Sequence, residues 1–161
     1  MVIVLMGVAG SGKTTIGSLL ARQLSWEFAD ADDYHSAANV QKMSQGIPLT
    51  DADREPWLGG LRSLVAGWIT HAQNGVLACS ALKDSYREEL RVTDAVRFVY
   101  LRGSKALLTQ RLRDRSSHYM KPQMLASQLA TLEEPEDAVV VDVSKSPEGV
   151  VAEIRQKLGL D

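Results

Sequence analysis

Gly7, Gly12, Lys13 and Thr14 stand at the spacing G-x-x-x-x-G-K-[ST], in the octet GVAGSGKT just behind the apolar run Val2–Met6. Glycines at these places let the backbone turn tightly and approach an anion closely. The amides of the turn and of the following helix N-terminus then point at negative charge. Lys13 can reach the β- and γ-phosphates of a nucleotide, and the Thr14 hydroxyl can hold Mg²⁺. The octet predicts a nucleoside triphosphate as donor. It does not say what receives the phosphoryl group, because kinases, motors, switches and synthetases share it.

The acceptor is read from other segments. Asp30-Ala31-Asp32-Asp33-Tyr34-His35 closes a second apolar run, and carboxylates at the C-terminal edge of a parallel strand face the ligand crevice. Transfer to an alcohol needs one carboxylate to orient or deprotonate the hydroxyl and another to hold hydrated Mg²⁺. Asp30 and Asp32 point the same way if the strand persists through them; Asp33 reads as a solvated or capping residue. Further on come His35, Asn39, Lys42 and Arg54, then Cys79-Ser80-Ala81-Leu82-Lys83 with Tyr86 and Arg87 one helical turn later. Singly, each is ordinary surface. As a set they place cations on several loops at one sheet edge, which suits an acidic, polyhydroxylated acceptor. Ser80 and Lys83 form no nucleophile–base pair. Residues 111–121, RLRDRSSHYMK, read either as a solvated helix end or as a lid whose arginines close over the transferring phosphate. Arg111 and Arg115, four apart, share a helical face.

The elements that must position these groups alternate along the chain. Val2–Met6, Trp26–Ala29, Val76–Cys79, Val96–Leu101 and Ala138–Val141 are mostly continuous apolar runs, as in strands covered on both faces. Helical patterns lie between them: Lys13–Leu24, then residues 51–73 with Trp57, Leu61, Leu64, Val65 and Trp68 at helical spacing behind a Thr50/Asp53 capping pair. On that pattern Trp57 and Trp68 are core, with Trp57 able to line a pocket's edge. Ser104 and Ser146-Pro147 open two further helices. The alternation predicts an α/β fold with a doubly wound parallel sheet.

With 161 residues and a net charge of −2, the chain fits a single domain, 1–161, without the basic field of a nucleic-acid binder. The lone Cys79 excludes an internal disulfide and a cysteine-rich zinc site, and a reducing cytoplasm is the expected compartment. No signal peptide or membrane-length apolar segment is read. No N-K-x-D guanine reader is present. Val139–Asp142 imitates the strand-to-Asp signature of motor ATPases but reads better as a core strand followed by a turn. The small size and the arginine-rich segment favour a phosphotransferase.

These segments together resemble the small P-loop gluconate kinases, relatives of shikimate and adenylate kinases. The matching pieces are LMGVAGSGKTT, DADDYH with the following Asn39 and Lys42-Met43, GIPLTDADREPW, CSALKDSYR and HYMKPQMLASQLATLEEP. The resemblance implies a three-layer α/β/α fold with a five-stranded parallel sheet and a helical lid over about 112–130. It implies ATP- and Mg²⁺-dependent phosphorylation of D-gluconate at the 6-hydroxyl, usually by a homodimer. By the same resemblance Gly10, Ser11, Gly12, Lys13, Thr14 and Thr15 bind the ATP phosphates, Asp30 orients Mg²⁺ through water beside Thr14, and Asp32 positions or deprotonates the hydroxyl. His35, Arg54, Lys83, Arg87 and Gln128 become gluconate contacts, and Arg111 and Arg115 lid or adenine-side groups, Arg115 with a part in transfer. A kinase of shikimate or another small hydroxy acid stays open as an alternative, although Ser80-Ala81-Leu82 stands where shikimate kinases carry a glycine triplet. A non-catalytic nucleotide-binding module is the alternative of another class.

Overall fold

The structure, a computed structural model, describes residues 1–114 and 123–161. Its first strand, β1 (Val2–Met6), is buried along its whole length. An all-apolar run of this kind suits a strand covered on both faces. It lies at the centre of a five-stranded parallel sheet of order β2-β3-β1-β4-β5, with β2 at Glu27–Asp30, β3 at Gly75–Ala78, β4 at Val96–Arg102 and β5 at Val139–Asp142. The second strand begins one residue later than the apolar pattern predicts, and the carboxylate of Asp30 becomes its last residue.

One face of the sheet is covered by α1 (Lys13–Leu24) and α7 (Pro147–Leu158), which bury Ile16, Leu20, Val151 and Ile154 against Ile3, Leu5, Val99 and Val141. The other carries α3 (Asp51–Thr70) and α4 (Asp84–Leu90), with Trp57, Leu61, Val65, Trp68, Tyr86 and Leu90 against Val4, Met6, Leu77 and Phe98. Gly75 lies under Trp68, whose ring occupies the space a Cβ would need, so the indole covers the start of β3 directly. The Thr50/Asp53 capping box is formed in full. The helix ends at Thr70 rather than at 73, because Ala72 takes a left-handed conformation and turns the chain into β3. Ser104 and Ser146 cap α5 (Lys105–Arg113) and α7 by accepting from the amides three residues on.

β5 ends at Asp142, which is exposed and accepts from the Ser144 amide at 2.7 Å. It is a core strand followed by a turn. No helix among the described residues is long and apolar enough to cross a membrane.

Parallel strands bring the loops after β1, β2 and β3 to one edge. Asp30 pairs in register with Ala78, and the Gly7 amide donates to the Ser80 carbonyl at 3.2 Å. Three segments far apart in sequence thus form one crevice.

Candidate active site

The loop after β1 is shaped by its glycines. Gly7, Gly10 and Gly12 have φ of 152°, 84° and 90°, and a Cβ on Gly10 would meet the Leu108 carbonyl oxygen at 2.8 Å. A side chain is therefore excluded at Gly10 both by backbone conformation and by contact with α5. The Lys13 ammonium donates to the Val8 carbonyl at 3.2 Å and so lies across the loop. Ser11 is fully buried, and its Oγ makes no hydrogen bond within the described residues. A buried hydroxyl of this kind inside a cradle of amides fits a phosphate-binding loop.

Asp30 joins this loop to the next. Its Oδ2 accepts from the Thr14 hydroxyl at 2.5 Å and its Oδ1 from the Asp32 amide at 2.9 Å. The strand does not persist through Asp32, as the alternation argument requires; Asp30 instead caps a 3-10 turn over Ala31–Tyr34. The two carboxylates therefore divide: Asp30 is held against Thr14, while Asp32 lines a cavity together with Gly10, Gly12, Lys13 and Thr14. This is the correction the fold makes to the predicted strand geometry, and the turn's own hydrogen bonds are its cause.

His35, Arg54 and Trp57 line the acceptor side of the same cavity. The imidazole stacks on the Trp57 indole with centroids 4.3 Å apart and planes at 11°, and the indole Nε1 donates to the Ala31 carbonyl at 2.7 Å. Trp57 is thus both core and cavity wall. Burial, and then the Arg54 guanidinium, hold the His35 pKa down to about 4, so the ring is neutral near neutral pH. Arg54 donates to the Tyr86 hydroxyl at 3.0 Å, and that hydroxyl donates to Asp51 at 2.5 Å.

Lys83 and Arg87 do not line the cavity. Lys83 pairs with Asp51 at 3.0 Å, behind Tyr86. Arg87 is 2 % exposed. Its guanidinium donates to the carbonyls of Ala81 (2.7 Å), Leu82 (3.2 Å) and Glu133 (2.9 Å). The structure thus gives Arg87 a place the sequence reading did not: it ties the loop after β3 to the chain after α6. Arg87→Ala would remove three hydrogen bonds, leaving the buried Ala81 carbonyl without the guanidinium donor and the Leu82 carbonyl with the Glu133 amide. The expected loss is about 3–5 kcal/mol of unfolding free energy by chemical denaturation. A variant as stable as the parent, with only KM for the acceptor altered, would return Arg87 to the substrate.

A roof over the cavity comes from α6 (Gln123–Thr131). Met124, Ser127, Gln128 and Thr131 line it, and Oε1 of the Gln128 side chain accepts from the Ala9 amide at 2.7 Å. Met124 also buries itself against Leu49 and against Met43 of α2 (Ala37–Ser44). From this helix the family resemblance points to Gln128 alone. The spacing of 124, 127, 128 and 131 marks one helical face and was the available signal. Arg111 donates to the Val143 carbonyl at 2.6 Å and borders a second groove with Gly12, Thr15, Lys145 and Pro147. Arg115 lies outside the described residues, as does most of the basic stretch it belongs to. Cys79 is fully buried; burial, with smaller contributions from Asp32 and Asp30, pushes its thiol up to about 12. It is an inert core residue and not a nucleophile.

A phosphate loop and an aspartate facing one cavity at the C-terminal edge of a parallel α/β sheet define a P-loop phosphotransferase. Comparison with known proteins narrows the class. The family model for shikimate kinase matches residues 9–159. A gluconokinase of Gluconobacter oxydans is 47% identical over 94% of this chain and 88% of its own length. Among solved structures, a sugar kinase from Janibacter sp. superposes with a TM-score of 0.91 at 40% identity, covering 99% of this chain and 94% of that one. A gluconokinase from Sinorhizobium meliloti does so with 0.84 at 38% identity, covering 98% and 94%. The chain belongs to the gluconokinase family.

Proposed function

We propose that the chain transfers the γ-phosphoryl group of ATP to the 6-hydroxyl of D-gluconate in one direct in-line step, giving 6-phosphogluconate and ADP. The observation that carries this reading is a single cavity in which Lys13 and Thr14 of the phosphate loop face Asp32, His35 and Arg54. Donor and acceptor walls in one cavity allow transfer by positioning and charge stabilisation, without a phosphoenzyme.

Under this reading the amides of Gly10–Thr15 bind the phosphates and Arg111 borders the adenine. Thr14 and Asp30 fit Mg²⁺, Thr14 as a hard oxygen donor and Asp30 through water, since the hydroxyl and the carboxylate are already in contact. When bound, the ion would neutralise charge on the phosphates. Asp32 accepts the hydroxyl proton or orients it. Arg54 takes the gluconate carboxylate, and Asp51 and Lys83 hold Tyr86, and through it Arg54, in place. The segment over about 112–130, with Arg115, acts as the lid, and Gln128 faces the bound substrates. The reading extends to a cytoplasmic homodimer with no nucleic-acid or membrane partner, on the strength of the family resemblance.

ATP turnover against gluconate, shikimate, glycerate and nucleoside monophosphates tests the proposal. Gluconate is expected to be preferred clearly, and preference for another acceptor would overturn it. Arg54→Ala is expected to raise KM for gluconate about 10- to 100-fold, the range for losing a charge-assisted hydrogen bond, with a smaller change in kcat. An unmoved KM would remove Arg54 from the carboxylate.

A further inference from the structure

Behind His35 of the acceptor wall lies a buried carboxamide that the reading above does not use. Asn39, in the first turn of α2, is 5% exposed. Its Nδ2 lies 2.9 Å from the backbone carbonyl oxygen of Asp53 and 3.4 Å from Nδ1 of His35.

These two contacts decide each other. A carbonyl oxygen only accepts, so the end of the Asn39 amide that faces it must be the NH₂ group. That orientation is firm, because Asp53 is itself fixed in the capping box with Thr50 and by Lys42 at 2.8 Å. The second hydrogen of the same NH₂ then points to His35 Nδ1. In neutral imidazole a nitrogen that accepts cannot also carry the proton, so the proton resides on Nε2. The stack on Trp57 holds the ring plane, and Nε2 is the ring nitrogen left for the contents of the cavity that His35 lines.

We propose that Asn39 is a positioning residue that sets His35 in its Nε2–H tautomer, so that this wall offers a hydrogen-bond donor to an oxygen of the polyhydroxylated acid. The assignment of that acid rests on the proposed function. The chemistry follows from the wall's composition: His35 and Arg54 both donate, which matches the lone pairs of hydroxyl and carboxylate oxygens, while Asp32 supplies the accepting group. The low pKa of His35 agrees with a ring that stays neutral and keeps this donor.

The test is ¹⁵N NMR of histidine-labelled enzyme near neutral pH, with His35 identified among the three histidines by its loss in His35→Gln. The wild-type ring is expected to show a protonated Nε2 and a bare Nδ1. A protonated Nδ1 would overturn the proposal, whatever the variants do. Asn39→Asp replaces the donor by an acceptor and is expected to move the proton to Nδ1. It should raise KM for gluconate about tenfold, the loss of one hydrogen bond, with a smaller effect on kcat. Asn39→Ala should leave a mixture of tautomers. A folded variant of either kind with the wild-type tautomer would sink the positioning role. If the enzyme preferred another acceptor, the functional reading would fall while the tautomer result stood; an Nδ1–H ring in an active gluconate kinase would have the reverse consequence.

Discussion

Lys13→Ala is expected to lower kcat by about 10²- to 10³-fold, the range for removing one preorganised group that meets developing charge. The ammonium stands on the first residue of α1, where helix and loop amides already supply much of the attraction for phosphate. Ground-state binding of ATP therefore survives in large part. The amides cannot follow charge as it moves toward the bridging and transferred oxygens, whereas a mobile ammonium can. The Val8 carbonyl it touches is an uncharged acceptor, and a phosphate oxygen makes the stronger charge-assisted bond. Steady-state kcat together with calorimetric titration of ATP separates the two effects. A variant with near-parental kcat would exclude Lys13 from the transfer step.

Asp32→Asn is expected to cost about 10²- to 10⁴-fold in kcat, the range for losing a general base, with ATP binding nearly unchanged. Asparagine keeps the shape of the side chain, and the turn that positions it is held by the Asp32 amide on Asp30, a contact the substitution does not touch. Only the negative charge and the proton-accepting oxygen are lost. Under the proposed function the loop after β1 and Arg111 serve ATP and Asp32 serves the acceptor, so a fall in nucleotide affinity would point to a folding defect instead. Near-parental turnover would refute the role of Asp32, and the loss should persist at saturating gluconate.

Asp32→Asn and Arg87→Ala divide the polar residues of the acceptor motifs into two physical kinds. Asp32 and Arg54 face the cavity, whereas Arg87 spends its guanidinium on backbone carbonyls. Sequence position does not separate them. Arg54 and Arg87 are both arginines on helices flanking the same sheet edge, and both sit in motifs of the gluconate kinase resemblance. One faces the cavity and the other is buried because α4 turns Arg87 under the loop after β3.

Much of the molecule was legible beforehand because the signals are local. A strand buried on both faces must be apolar throughout, and the P-loop pattern needs its glycines at set places, so β1, the loop and α1 follow from composition and spacing. The Thr50/Asp53 box and the caps at Ser104 and Ser146 are likewise bonds between residues three apart. Asp30 and Asp32 mark the limit of such reasoning. Alternation places them on one side of a strand, but Asp30 closes the strand by accepting the Asp32 amide, and a side-chain hydrogen bond of that kind competes with the ladder without changing the sequence pattern.

The sequence by itself determined the donor, the fold class and the family, since each rests on short-range chemistry or on motifs whose order is fixed along the chain. Tertiary structure alone decided which polar groups share the cavity. It set Trp57 beneath His35, brought Asn39 against both Asp53 and His35, and laid the Met124–Gln128 face of α6 over the loop after β1. The reason is physical: a side chain's partner across 14 to 119 positions depends on strand order and helix packing, and no local propensity encodes either.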